Sequence, residues 1–82
     1  MPSRQIIERI QLCKPSHVWL AYGPGGGTIR LGQAMEFSAS RQAVEKVLSW
    51  LEHDALYYPL KNWRDPRGSS EGEAFFERRF NA

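Results

Sequence analysis

His17 and His53 are the only histidines in the chain, and Cys13 is its only cysteine. Imidazole- or thiol-based acid–base, nucleophilic or zinc chemistry would have to use these three residues. An imidazole working as acid or base needs a carboxylate or a nucleophile beside it. Glu52 and Asp54 flank His53, but adjacent residues on a helix point away from each other. No serine, cysteine and histidine stand at a recognisable hydrolase spacing. Cys13 and His17 make a sparse pair, with His53 36 residues beyond His17, so a structural zinc site is not expected. Cys13 reads instead as a small buried hydrophobe. The chemistry-bearing residues thus predict no catalytic group, no metal and no cofactor, and the chain is expected not to be an enzyme.

Gly23-Pro24-Gly25-Gly26-Gly27-Thr28 resembles a phosphate cradle in composition only. Such a loop needs a lysine meeting the phosphates and a helix following it. Here it leads into Thr28-Ile29-Arg30-Leu31, which has the pattern of a strand. The glycines are therefore expected to form a mobile hairpin tip flanked by Tyr22 and Arg30, able to probe a partner.

A second cluster carries more weight. Tyr57, Tyr58, Lys61, Trp63, Arg64 and Arg67 fall within eleven residues. Tyrosine, tryptophan and arginine dominate protein interfaces because they bring large area and several donors at modest entropy cost. The same mixture could stack bases and neutralise phosphates on single-stranded nucleic acid. It could also simply pin an irregular segment to the core.

These residues need elements to position them. His17-Val18-Trp19-Leu20-Ala21-Tyr22 is rich in β-formers and too short for a stable helix, and a hairpin of about residues 17–37 follows from it. Val44, Val47, Leu48, Leu51 and Ala55 recur at helical spacing, with Ser40 as N-cap, and predict a main helix of about 40–56. Trp50 lies at the edge of that stripe, placed to extend the core or to face a partner. Ile6, Ile7, Ile10 and Cys13 fit a helix, but Ile6, Ile10 and Leu12 share one parity, and β-branched isoleucine tips the segment towards a strand. Residues 57–68 read as an aromatic-basic loop, and Ser70 with Glu73 suggests a capping box for a short helix over 70–80. The expected architecture is α+β: a two- or three-stranded antiparallel sheet, one main amphipathic helix across it, and a short helical or irregular C-terminal segment.

With 82 residues the chain fits a single small domain, 41% apolar and 24% charged, the composition of a folded protein. No run of apolar residues is long enough to span a membrane, and the N-terminus has no stretch of signal-peptide length. A single cysteine and no export signal point to a cytoplasmic setting. The net charge of +2 singles out no polyanion. Its distribution is uneven, with a basic front (Arg4, Arg9, Lys14 and Arg30 against Glu8) and an acidic middle around the main helix.

The function expected from these residues is a protein-binding module that docks on a larger partner and modulates it. The contacts would come from Tyr57, Tyr58, Lys61, Trp63, Arg64 and Arg67, with help from Tyr22 and Arg30. Small motif-poor domains of this kind suggest inhibitors carried by phages or mobile elements. Nucleic-acid binding through the same segment, a small-ligand or enzyme-subunit role, and homodimerisation are the rivals.

Overall fold

The computed structural model describes residues 1–54, 57–65 and 67–79. The elements run α1 (Ser3–Cys13), β1 (His17–Gly23), β2 (Gly26–Leu31), β3 (Met35–Ala39), α2 (Arg41–His53), β4 (Leu60–Arg64) and β5 (Gly72–Glu77). The strands form one antiparallel sheet in the order β3-β2-β1-β5-β4. The α+β class is as expected, but the sheet has five strands rather than two or three, and two helices rather than one main helix cover it.

Each departure has a local cause. Residues 4–12 are helical, not extended. Ile6 and Ile10, one helical turn apart, are buried, while Leu12 is 81% exposed, the opposite of what a shared strand face would require. Cys13, expected inside, is exposed at the helix end. There Lys14 adopts a left-handed conformation (φ 46°), its N–H bonding the Ile10 carbonyl at 2.9 Å, and Pro15 prevents continuation.

The segment expected as a helix over 70–80 is instead a strand. Gly72, Ala74 and Phe76 are buried and alternate with Glu73, Phe75 and Glu77, a period of two that outweighs the apparent capping box. β5 adds to β1 through the register Trp19↔Phe75, and β4, in a stretch expected to be a loop, adds to β5 as the sheet edge. Phe80 and Ala55, which the sequence pattern placed in the C-terminal and main helices, lie outside the described residues.

The main helix forms where the apolar stripe demands it. Ser40 accepts a hydrogen bond from the Ala43 N–H at 3.1 Å, and Ala43, Val44, Val47, Leu48 and Leu51 face inward. Ser40→Ala removes that cap and is expected to lower stability by about 1 kcal/mol, measured by urea denaturation. Val18, Leu20, Tyr22, Ile29, Leu31, Ala74 and Phe76 meet both helices in a single core, with Trp50 packed at its margin.

The glycine-rich tip is a tight turn rather than a long loop. Pro24 and Gly25 connect the paired Gly23 and Gly26, and Gly26 takes a φ of 118° that few side chains tolerate. Gly27 lies against α2, where an added Cβ would collide with the Val44 methyl and crowd the carbonyls of Ala21 and Ala39. At least one of the four glycines is thus there for packing.

Tyr58 closes the far side of the core. It is 7% exposed, and its hydroxyl donates to the Pro15 carbonyl at 2.9 Å, tying the chain after α2 to the end of α1. Burial raises its pKa above the ordinary tyrosine value, against a smaller lowering by Arg78. The folded protein therefore keeps this proton in a window where the unfolded chain releases it. Its contribution to stability is complete below about pH 10 and falls as the pH rises beyond that. Tyr58→Phe is expected to cost about 1–3 kcal/mol at neutral pH and to flatten the alkaline decline, both readable from urea melts across that range.

Candidate functional site

Both helices lie on one side of the sheet, and no described element crosses the other side. The outward residues of that open face are His17, Trp19 and Ala21 on β1, Thr28 and Arg30 on β2, and Glu36 and Ser38 on β3. Glu73, Phe75 and Glu77 on β5 and Asn62 and Arg64 on β4 complete it. The register aligns five of them in one row across all five strands: Glu36, Arg30, Trp19, Phe75 and Asn62.

The row is internally organised. The Arg30 guanidinium sits 5.2 Å from the centre of the Trp19 ring, and its Nη2 is 3.6 Å from Glu36 Oε1. The guanidinium thus lies between a ring and a carboxylate, both of which favour its position at the surface. On the far side of Trp19, the His17 and Phe75 rings stack obliquely, 5.4 Å apart and 31° from parallel. The three rings make an aromatic ridge along β1 and β5. Beside it a cleft of about 440 Å³ has Trp19, Phe75, Asn62, Arg64 and Glu73 among its lining residues.

The face is close to electrically neutral. Arg30 and Arg64 are offset by Glu36, Glu73 and Glu77, and Arg64 stands directly across from Glu73. The His17 Nδ1 lies 3.1 Å from Ser16 Oγ, but no carboxylate among the described residues is hydrogen-bonded to this imidazole to orient it. No three His, Cys, Asp or Glu side chains among the described residues gather as metal ligands. His53 sits at the exposed end of α2, beside a separate cleft lined by Leu51, Tyr58, Leu60 and Phe76.

The eight residues singled out from sequence do not form one patch. Tyr58 is in the core, as described. Tyr22 is 4% exposed, its hydroxyl accepting from Arg41 Nη2 at 3.1 Å while the Arg41 guanidinium covers its ring at 4.3 Å. Neither has surface to offer a partner; they fix the chain around α2. Arg67 is held by Glu52 at 3.1 Å and by Asp65. Tyr57 and Trp63 are exposed, and Lys61 occupies an irregularity in β4, where the register shifts between Leu60 and Asn62. Arg30 and Arg64 do share the open face, but three strand spacings separate them, about 14 Å.

Trp19, Phe75 and His17 were not singled out as partners. A signal for Trp19 was present. In a strand whose Val18, Leu20 and Tyr22 face the core, a tryptophan at the intervening position must face outward. Phe75 required recognising β5 as a strand.

No family model matches the chain, and no curated protein or solved structure matches it. No helix among the described residues is long and apolar enough to cross a membrane.

Proposed function

We propose that the chain is a non-enzymatic module that docks on a larger protein through the open face of its sheet and modulates that partner. The observation that carries this reading is the ridge of His17, Phe75 and Trp19, which no other described element covers, bordered by the Arg30–Glu36 pair. Rigid aromatic anchors ringed by polar groups are the usual source of binding energy in protein interfaces. The alternating charge favours a protein surface of mixed sign. A polyanion would meet Glu36, Glu73 and Glu77 as well as the two arginines, and would gain little from counterion release.

The test compares wild-type and Trp19→Ala chains as bait in extracts of the source cells. Trp19 is partly exposed and lies outside the buried core, so its loss should leave the fold intact by circular dichroism. Removal of a central anchor is expected to cost about 2 kcal/mol of binding, roughly thirtyfold in affinity. A partner retained equally by both baits contradicts the reading. So does tight binding of random single-stranded oligonucleotides that weakens steeply with salt, the mark of a nucleic-acid binder.

A further inference from the structure

We infer that the β4 edge accepts an extended acidic peptide segment as a sixth strand of the sheet. The proposal extends the docking reading to a second surface and stands on different observations. β4 is the outer strand beyond β5, and all five of its residues are exposed. The Glu77 N–H donates to the Pro59 carbonyl at 3.2 Å. Backbone groups alternate in direction along a strand, so those of the next residue, Leu60, face the unpaired side. A partner strand finds donors and acceptors ready there.

The chemistry of the edge selects the partner. Lys61 and Arg64 are the only charged residues from Tyr57 to Arg64, and neither has an ion-pair partner among the described residues. By contrast Arg4, Arg30, Arg41 and Arg67 all pair with carboxylates. The register sets Leu60 and Trp63 opposite Phe76 and Ala74, on the helix side, and Asn62 and Arg64 opposite Phe75 and Glu73, on the open side. Leu60 is 38% and Trp63 48% exposed, because the helices do not cover the β4 edge. An incoming strand that alternates apolar and acidic residues would place the first beside Leu60 and Trp63 and the second beside Arg64. A second copy fits less well. Antiparallel pairing of β4 with itself about Asn62 would gather two Lys61 and two Arg64 side chains with no carboxylate between them.

The probe is a fluorescein-labelled octapeptide of alternating glutamate and valine, followed by anisotropy against the full chain. Three companions accompany it: a lysine–valine counterpart, and two versions N-methylated at every second residue, one in each frame. The glutamate peptide is expected to bind at least about tenfold more tightly than the lysine peptide, a difference of ~1.4 kcal/mol. Lys61→Glu with Arg64→Glu should reverse that order, and at least one methylated frame should lose tenfold. No binding at millimolar peptide, equal binding of both charge types, or undiminished binding of both methylated frames overturns the proposal. So does self-association in sedimentation that the double charge reversal abolishes, since that assigns the edge to a second copy. None of these outcomes bears on Trp19, so the fate of the open-face reading is decided separately.

Discussion

Phe76→Ala is expected to destabilise the protein by about 3–5 kcal/mol, while Phe75→Ala, one residue away, costs far less. Phe76 is 1% exposed between the sheet and the helices, and its removal leaves a cavity in the only core the described residues form. Phe75 faces the opposite way, in contact with His17 on the open side. A domain of 82 residues has a total stability on the order of 4–12 kcal/mol, so the first substitution removes a large fraction of it. Urea denaturation of the two variants reads the difference. Equal losses would mean that both rings are docked in the core, which contradicts a strand that turns Phe75 and Phe76 to opposite faces.

Gly27→Ala is expected to cost about 1–3 kcal/mol by overpacking. The new methyl group would strike the Val44 side chain, with the Ala21 and Ala39 carbonyls at 3.2 Å on either flank. Val44→Ala alone should also destabilise, by creating a cavity in the core. Together the two changes should cost less than their sum, because the space emptied at Val44 receives the methyl at residue 27. Strict additivity in denaturant melts would show that Gly27 and α2 are not in contact. Gly25 has no neighbour close to an added Cβ and is a suitable control in the same turn.

The pair Phe75 and Phe76 also shows where the sequence was legible. The main helix could be read because Val44, Val47, Leu48 and Leu51 repeat at a period no strand can satisfy, and Ser40 marks its start. β1 and β2 were legible from β-branched residues on either side of a glycine turn. β5 was legible in principle, since Glu73, Phe75 and Glu77 alternate with Ala74 and Phe76, but a Ser-x-x-Glu pattern in the same stretch competes with that signal. β4 was not. Its residues are uniformly exposed, it has no buried side to impose a period, and it is a strand only because β5 lies beside it. The placement of β5 next to β1, with paired residues 50 or more positions apart in sequence, is likewise a tertiary fact.

The same limit explains the site. Aromatic and basic residues close together in sequence drew the eye to 57–67, yet there Tyr58 is committed to the core and Arg67 to Glu52 and Asp65. The residues that meet in space, Arg30, Trp19 and Phe75, come from three strands, and only the register joins them. Of the residues singled out from sequence, Arg30 and Arg64 reach the open face, while Lys61 and Trp63 lie on the neighbouring edge strand.

Hydroxyl-radical footprinting of the chain, free and bound to a partner recovered with the wild-type bait, tests the central claim most directly. It reads side-chain exposure residue by residue. The open-face account predicts that Trp19, Phe75 and His17 become protected in the complex, while Leu12 and Cys13 on the exposed side of α1 oxidise as before. Protection of Leu12 and Cys13 with unchanged oxidation at Trp19 and Phe75 would contradict it.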